Sequence, residues 1–279
     1  MILVADGGST KCDWALIDRQ RHVQSRFETT GLNPYYLSES ELYAALKVNS
    51  SINSVKNEVT EIHFYGAGCS DELQIKKLRK TFTGFFPQLS KVFISNDLNG
   101  AILATCNNQI GICGILGTGS NACYFNGQNI EKKTHSLGLY FGDEGSGGYF
   151  GKMLCKHFFY NQLPEDLAYL FVQKYALKKD EFLDRIYNQP KPNTYLATFF
   201  PFVVENKNHP FVAELIANGL KSFVGNHISV YPKVPVHFVG SVAYELHPFL
   251  SEVLHTFGYS LGTVVRHPLE GMIKHIKLD

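Results

Sequence analysis

A short stretch near the N-terminus combines the residue types that often bind phosphate. After an apolar run the chain reads Asp6-Gly7-Gly8-Ser9-Thr10-Lys11. Glycine, hydroxyl residues and lysine suggest a P-loop, but that loop needs four residues between its first glycine and a Gly-Lys-Ser/Thr unit. No glycine directly precedes this lysine, and the G-x-G-x-x-G spacing of a dinucleotide site is also absent. Another phosphate-binding device and a plain turn both stay open.

The residues that follow argue for a hairpin around this turn. Cys12, Trp14 and Leu16 alternate with Asp13, Ala15 and Ile17, which is closer to the period of two of a strand than to the 3.6 of a helix. The same order of strand, turn and strand returns later, where Ile110–Leu116 is followed by Gly117-Thr118-Gly119-Ser120 and then Ala122–Phe125. One such turn is most simply structural, whereas its repetition predicts two similar domains.

Two turns of this kind could hold a polyphosphate between them, because their backbone N–H groups form concave anion sites. A third junction, Gly240-Ser241, follows a predicted strand and opens a helix, which lets backbone approach a nucleotide. Asp6 is placed to meet the magnesium ion of the polyphosphate through water. Lys11 could neutralise phosphate charge or be an exposed turn lysine. The candidate phosphate-binding residues are Gly8, Ser9, Thr10, Lys11, Gly117, Thr118, Gly119, Gly240 and Ser241.

The first third of the chain alternates strand and helix patterns, which is typical of a mixed α/β domain. We predict strands over Ile2–Ala5, Cys12–Ile17, His22–Glu28, Ile62–Tyr65, Lys91–Ser95, Ile110–Leu116, Ala122–Phe125 and Val234–Val239. We predict helices over Glu39–Lys47, Asp71–Phe82 with Ser70 as N-cap, Asp97–Cys106, Leu163–Lys174, Asp180–Tyr187, Thr194–Glu205 and His209–Phe223. The best domain boundary lies at Asn107-Asn108-Gln109.

Composition argues against several classes of protein. The 279 residues carry a formal net charge of +1 and are 44% hydrophobic, which argues against nucleic acid or a membrane surface as main partner. No apolar run approaches the roughly 18 residues of a membrane span, and the first residues lack the basic region of a secretion signal. The six cysteines form no C-x-x-C pair, and the histidines show no zinc-ligand spacing. We expect a cytoplasmic protein with buried, reduced cysteines and no structural zinc.

The three Gly-rich segments resemble the phosphate-1, phosphate-2 and adenosine motifs of the actin/hexokinase/Hsp70 ATPase superfamily. Within it, the chain resembles the BadF/BadG/BcrA/BcrD-type group, especially its N-acetylglucosamine kinase members. The stretches most specific to this group are Gly117-Thr118-Gly119-Ser120-Asn121 and Gly142-Asp143-Glu144-Gly145-Ser146. The resemblance runs through most of the chain and also covers Gly31-Leu32-Asn33, Asn96-Asp97 and Gly240-Ser241-Val242-Ala243.

This resemblance implies an α/β fold of two ribonuclease-H-like, actin-like ATPase domains around a central cleft. With the boundary above, residues 1–107 form the N-terminal domain and residues 108–279 the C-terminal one. ATP and Mg²⁺ are the implied cofactors, and an amino sugar is the implied partner. A homodimer is usual in such families, although the sequence leaves the oligomeric state open.

Asp97 is the candidate catalytic residue. It follows a predicted strand and starts a predicted helix, where aspartate is often only an N-cap. The family's catalytic aspartate occupies this place, so the resemblance implies that Asp97 is the general base that takes a proton from a sugar hydroxyl.

The resemblance also assigns residues to the sugar, and carboxylates and amides suit that role because they hold hydroxyl donors in fixed directions. Asp143 could instead cap the helix that follows it. An aromatic residue and a glycine often precede the glycine of this region, and Ser136-Leu137 stand there instead. The implied sugar-binding residues are Asn33, Ser120, Asn121, Gly138 and Asp143.

The leading functional hypothesis is an ATP-dependent amino-sugar kinase that phosphorylates the 6-hydroxyl of N-acetylglucosamine. Two alternatives stay open: an ATPase activator of a dehydratase or reductase with an iron–sulfur cluster, and a sugar sensor without turnover. The sequence does not separate N-acetylglucosamine from glucosamine, N-acetylmannosamine or N-acetylmuramic acid, which differ in only one or two substituents.

Overall fold

The computed structural model describes residues 1–131 and 134–278, and they form two compact units. Unit 1 comprises Met1–Gln109 and the C-terminal segment from His267, and unit 2 comprises Ile110–Arg266. The predicted domains, 1–107 and 108–279, differ from this division chiefly at the C-terminus, because the last segment packs against the first unit. Its docking partners are distant in sequence, so no local pattern indicated this placement.

The strands and helices alternate along unit 1, and helices dominate unit 2. The strands are β1 (Ile2–Gly7), β2 (Lys11–Ile17), β3 (Val23–Thr30), β4 (Glu61–Gly66), β5 (Lys91–Asn96), β6 (Gly111–Leu116), β7 (Ser120–Phe125), β8 (Ile130–Glu131), β9 (Val236–Val239) and β10 (Leu261–Val265). The helices of unit 1 are α1 (Glu39–Lys47), α2 (Ser50–Val55), α3 (Glu72–Phe85), α4 (Asp97–Thr105) and α14 (Leu269–His275). The helices of unit 2 are α5 (Gly138–Phe141), α6 (Gly147–Phe159), α7 (Glu165–Tyr175), α8 (Lys179–Tyr187), α9 (Pro192–Ala197), α10 (Phe200–Glu205), α11 (Pro210–Phe223), which continues into a π-helix (Val224–Ile228), α12 (Ser241–Glu245) and α13 (His247–Thr256).

The two units repeat one sheet topology. In unit 1 the strand order is β3-β2-β1-β4-β5, with β1, β2 and β3 antiparallel and β1, β4 and β5 parallel. In unit 2 the order is β10-β9-β6-β7-β8, with β6, β7 and β8 antiparallel and β6, β9 and β10 parallel. Both predicted hairpins are therefore present, and each begins on the central strand of its sheet.

An aromatic cluster fixes the first hairpin of unit 1 to its helices. The fully buried Trp14 of β2 lies 6.1 Å from Phe82 of α3 and 6.0 Å from Phe64 of β4, measured between ring centroids. Its indole Nε1 donates to Thr29 Oγ1 of β3 at 3.0 Å. Because the one polar atom of the indole is satisfied, this large side chain can be buried without a desolvation penalty.

The opposite face of the same sheet is covered by α4 and α14. Gly271 lets these helices approach closely, since a Cβ there would lie 2.6 Å from the Cα of Ala104. Met272 is completely buried, and with Ile273 it packs against Ile2 and Val4 of β1. The C-terminal helix is therefore part of the unit 1 core.

Local signals misplaced two boundaries and missed two short strands. The helix predicted over Thr194–Glu205 is two helices, α9 and α10, because Pro201 lacks an N–H and its ring would clash with the carbonyl four residues earlier in a continuous helix. The N-cap of α3 is Asp71 rather than Ser70, with the Asp71 carboxylate accepting the Leu73 N–H at 2.7 Å. The short strands β8 and β10 were not predicted.

Two further expectations concern the whole chain. All six cysteines are free and buried, as predicted. Within residues 1–131 and 134–278, no helix has the length and apolar character needed to cross a membrane.

Truncating Met272 tests whether the C-terminal helix stabilises unit 1. Met272→Ala should lower the free energy of unfolding by about 2–5 kcal/mol, the usual cost of a fully buried truncation. Urea unfolding followed by the fluorescence of Trp14, the single tryptophan, measures unit 1 directly. The exposed Lys274 of the same helix provides the control, since Lys274→Ala should stay within about 0.5 kcal/mol of wild type. Equal effects of the two substitutions would contradict the packing role of α14.

Candidate active site

The turn between β1 and β2 is closed by its own backbone and held by the end of β3. The Gly8 N–H donates to the Lys11 carbonyl at 2.9 Å, and the Gly31 N–H donates to the Thr10 carbonyl at 2.9 Å. Glycine at position 31 permits this approach, because a Cβ there would overlap the carbonyl oxygen of Ser9. The turn is thus fixed on two sides by main-chain contacts.

Asn33 follows β3 and joins this turn. Its buried amide donates from Nδ2 to Ser9 Oγ at 2.8 Å, and its Oδ1 accepts the Tyr35 N–H at 3.0 Å. The structure therefore brings a predicted sugar residue, Asn33, beside the predicted phosphate turn of unit 1.

Carboxylates gather at the same edge of the sheet. Asp6, the penultimate residue of β1, is the register partner of Asp13 on β2. Burial, together with the negative charges of Asp13 and Asp97, raises the pKa of Asp6 to about 7, and the charge of Lys11 opposes this shift. This edge is consequently a place where added positive charge would be stabilised.

Asp97 is the first residue of α4, and its neighbour Asn96 is the N-cap. The Asn96 side chain accepts the Asn99 N–H at 3.0 Å. The capping role that the sequence allowed for Asp97 is therefore filled by Asn96. One oxygen of Asp97 accepts the Leu98 N–H at 3.0 Å.

Lys11 forms ion pairs within the hairpin. Its Nζ lies 3.0 Å from Asp13 Oδ2 and 3.1 Å from Glu28 Oε2. Burial by itself would lower the pKa of Lys11, but hydrogen bonds to these two carboxylates raise it above its ordinary value. A phosphate contact by Lys11 would have to replace or share these partners, and this role stays a prediction.

Asp6 was predicted to meet Mg²⁺ through water, and its surroundings fit that ion. In the described part of the chain, no group of three or more His, Cys, Asp or Glu side chains could hold a metal by itself. Mg²⁺ on a nucleotide needs few protein ligands, because it keeps several waters and takes phosphate oxygens. A cation beside Asp6 would also offset the repulsion between Asp6, Asp13 and Asp97.

The corresponding turn of unit 2 is held by the start of α6. The Gly117 N–H donates to the Gly119 carbonyl at 3.0 Å. From α6, the Gly147 N–H donates to the Gly117 carbonyl at 2.8 Å and the Gly148 N–H to the Thr118 carbonyl at 3.0 Å. Two helix N–H groups that would otherwise lack partners are thereby satisfied.

Gly240 brings the third predicted motif to the same edge of unit 2. It has a φ of 118°, which favours glycine, and a Cβ there would overlap the carbonyl oxygen of Leu116 at the end of β6. The Gly240 N–H donates to the Val265 carbonyl of β10 at 3.0 Å. The junction with Ser241, which begins α12, therefore lies against the β6–β7 turn.

Asp143 reaches the start of β7, where its Oδ1 accepts the Ser120 N–H at 3.2 Å. Burial raises the pKa of Asp143, although the Ser120 hydrogen bond and the charge of Lys152 oppose the rise. The N-cap of α6 is Ser146, which accepts the Tyr149 N–H at 3.1 Å, so Asp143 is not the cap. The buried Ser120 Oγ has no hydrogen-bond partner among the described residues.

The remaining predicted sugar residues lie near the ends of short elements. The Asn121 Oδ1 accepts the Ala122 N–H at 3.1 Å. Gly138 begins α5 with a φ of 68°, and a Cβ there would meet nothing within 4 Å. Lys152 of α6 donates from Nζ to the Leu139 carbonyl at 2.8 Å, which fixes the backbone of α5.

Some residues that hold these turns escaped the sequence analysis. Gly147 belongs to the stretch that carries the family resemblance, but its docking of α6 onto the β6–β7 turn, together with Gly148, was not predicted. The available signal was a glycine pair directly after a serine that can cap a helix. Asp13 was also missed as a neighbour of Asp6. The register of a short hairpin places them opposite each other, so the pairing could have been read from the turn length.

Comparison with known proteins supplies the family. No protein-family model matches the chain, and no curated protein matches it. A putative N-acetylglucosamine kinase from Porphyromonas gingivalis is 35% identical in sequence, with a TM-score of 0.92 over 99% of this chain and 98% of that one. A putative N-acetylglucosamine kinase from Chromobacterium violaceum is 14% identical, with a TM-score of 0.70 over 99% and 98%. A ROK family glucokinase from Streptomyces griseus, in complex with glucose and AMPPNP, is 14% identical, with a TM-score of 0.57 over 98% and 98%.

The fold is therefore that of the two-domain actin-like ATPase class, which confirms the predicted fold class. The chain belongs to the family of the Porphyromonas gingivalis protein, with which it shares 35% identity over nearly the full length of both. The two more distant structures share the fold alone. Membership of the BadF/BadG/BcrA/BcrD-type group stays a prediction.

The backbone approach at Gly240 can be tested against a matched glycine. Gly240→Ala should lower the free energy of unfolding of unit 2 by about 1–3 kcal/mol or more. The alanine would adopt a strained φ, and its Cβ would overlap the Leu116 carbonyl. Gly117→Ala is the control, since a Cβ there meets nothing within 4 Å and should change stability by less than about 1 kcal/mol. Urea unfolding followed by circular dichroism measures both. Similar losses in the two variants would refute the close approach at Gly240.

Proposed function

We propose that this protein is an ATP-dependent amino-sugar kinase that phosphorylates the 6-hydroxyl of N-acetylglucosamine. The observation that carries the proposal is the position of Asp97. It stands at the start of α4, is relieved of capping by Asn96, and lies near enough to Asp6 for their charges to interact. The relationship to the Porphyromonas gingivalis protein, itself described as a putative N-acetylglucosamine kinase, supports the choice of substrate.

In this proposal Asp97 is the general base. Its carboxylate accepts the proton of the sugar hydroxyl as the oxygen of that hydroxyl attacks the terminal phosphorus of ATP. The phosphorus–oxygen bond to ADP breaks as the new bond forms. A carboxylate is basic enough for this step because the hydroxyl becomes acidic only as bonding to phosphorus develops.

The phosphate groups would be held mainly by backbone. The proposed phosphate contacts are Gly8, Ser9 and Thr10 in the β1–β2 turn and Gly117, Thr118 and Gly119 in the β6–β7 turn. The N–H groups of Gly8 and Gly117 already donate within their own turns, so a phosphate there would share or replace those bonds. Both turns are fixed by hydrogen bonds to adjacent elements before any ligand arrives, so little ordering entropy would be lost on binding. The hydroxyl groups of Thr10 and Thr118 could add donors.

Mg²⁺ would lie near Asp6 and would neutralise charge on the phosphates when bound. Asp6 would hold the ion through water, as the acidic surroundings favour a cation. Lys11 could contribute charge if the phosphates compete with Asp13 and Glu28 for its ammonium group.

The proposed sugar-binding residues are Asn33, Ser120, Asn121, Asp143 and the backbone around Gly138. The buried Ser120 hydroxyl and the buried Asp143 carboxylate support this assignment. A sugar hydroxyl could donate to the Asp143 carboxylate and accept from the Ser120 hydroxyl. A cytoplasmic location and a homodimeric state stay predictions.

Replacing the proposed base should remove turnover and spare nucleotide binding. Asp97→Asn should lower kcat by roughly two or more orders of magnitude, the usual effect of losing a general base, while the Kd for an ATP analogue changes little. Asp71→Asn makes the same chemical change at another helix N-terminus of unit 1 and should leave kcat near wild type. Near-normal turnover of Asp97→Asn would rule out its catalytic role.

A panel of sugars tests the proposed activity. With ATP and Mg²⁺, ADP release should be stimulated most by N-acetylglucosamine, and mass spectrometry should identify its 6-phosphate. Glucosamine, N-acetylmannosamine and N-acetylmuramic acid complete the panel. ATP hydrolysis that no sugar affects would favour the activator alternative, and sugar binding without ADP release would favour the sensor.

A further inference from the structure

The segment Gly142–Ser146, named here the Asp143 loop, carries two adjacent carboxylates that serve different neighbours. Asp143 accepts the Ser120 N–H at 3.2 Å. Glu144 instead accepts from Asn226 Nδ2 at 2.9 Å through one oxygen, and its other oxygen lies 3.4 Å from His227 Nε2. The sugar-binding role proposed for Asp143 leaves Glu144 without a function.

Both ring nitrogens of the histidine that meets Glu144 have a hydrogen-bond partner. His227 is buried, and its Nδ1 lies 3.3 Å from Thr134 Oγ1, a hydroxyl that can donate or accept. Because an ionised carboxylate only accepts hydrogen bonds, the contact with Glu144 places a proton on Nε2. Phe223 stacks on the ring, with 5.3 Å between centroids.

Asn226 and His227 lie on the π-helix Val224–Ile228, which continues α11. Consecutive side chains of a regular α-helix diverge by about 100°, yet these two contact the two oxygens of one carboxylate. Short π-helical segments are rare and frequent at functional sites. Two neighbouring side chains of this segment thus make a two-point contact with Glu144.

The loop itself lies against the same helix. Gly145 has a φ of 70° and a Cβ there would lie 3.2 Å from the Cβ of Phe223. A larger residue would push the loop away from α11. Contact of Gly145 with α11 and of Glu144 with the π-helix thus fixes the segment that follows Asp143 directly in sequence.

We propose that Glu144, held by Asn226 and His227, is a positioning residue that keeps the Asp143 loop in the orientation that binds sugar. The proposal rests on the proposed function for the role of Asp143. Two hydrogen bonds to a charged group give the contact both strength and direction. Loss of the carboxylate would leave Asn226 and the buried His227 with unsatisfied donors and free the loop to shift relative to Ser120.

Kinetics and hydrogen exchange of the full chain test the proposal together. Glu144→Ala should raise the KM for N-acetylglucosamine about tenfold or more, since small displacements of binding groups are costly, and should change the KM for ATP less than about threefold. Amide hydrogen exchange should accelerate at Ser120, whose N–H donates to Asp143 in the loop. It should also accelerate at Gly147 and Gly148, whose N–H groups donate from the start of α6 to the β6–β7 turn. Glu144→Gln, which keeps an oxygen for one donor, should lie between Glu144→Ala and wild type.

A control variant and a double-mutant cycle distinguish a positioning role of Glu144 from a general loss of stability. Glu205→Ala removes a carboxylate paired with Lys174 elsewhere in unit 2 and should leave sugar KM and these amides unchanged. The KM for the sugar in the double variant Glu144→Ala/Asn226→Ala should be close to that of Glu144→Ala alone, because both substitutions break the same contact.

Each outcome decides the proposal. Unchanged exchange in Glu144→Ala overturns it, as does an equal rise of the KM values for sugar and ATP. If the wild-type protein phosphorylates no sugar, the proposed function fails, but exchange still reports on the loop. Faster exchange confined to these amides would then support the contact, and unchanged exchange would reject it.

Discussion

The central strand of each unit is hydrogen-bonded antiparallel on one side and parallel on the other, and this mixed pairing decides where the site lies. β1 pairs with β2 and β4, and β6 pairs with β7 and β9. The hairpin turn therefore leaves the central strand at the edge where the parallel strands also end. Turns, helix starts and their N–H groups must gather at that edge, whichever side chains they carry.

Local patterns were sufficient for the elements that begin this arrangement. The period over Cys12–Ile17 predicted the first hairpin, and its repetition around Gly117-Thr118-Gly119-Ser120 predicted the second. The strand-to-helix change at Asn96-Asp97 was also visible in the sequence. These features depend on residues that are neighbours in sequence. The fold class and the candidate site residues could therefore be predicted from the sequence, while the roles of those residues stay proposals.

Long-range contacts could not be predicted in the same way. The C-terminal helix packs against unit 1 through Gly271 and Ala104, which no local pattern brings together. The contact of Glu144 with Asn226 joins residues far apart in sequence, and Asn226 lies on a π-helix, which has no sequence signature of the kind that caps and turns have. The N-cap positions were ambiguous for another reason. Both residues of Ser70-Asp71 and of Asn96-Asp97 are good N-caps, so the residue that caps each helix can be identified only from the structure.

The candidate residues of the two units differ in the physical property that would serve the proposed reaction. In unit 1 the functional feature is charge: burial and neighbouring carboxylates raise the pKa of Asp6, so a cation is favoured where Asp97 would accept a proton. In unit 2 it is backbone position, set by Gly240, by the α6 N–H groups and by the Asp143 loop. Under the proposed function, substitutions near Asp6 act on cation binding and turnover, whereas those around Asp143 act on affinity for the sugar. The two proposed roles therefore have different experimental signatures.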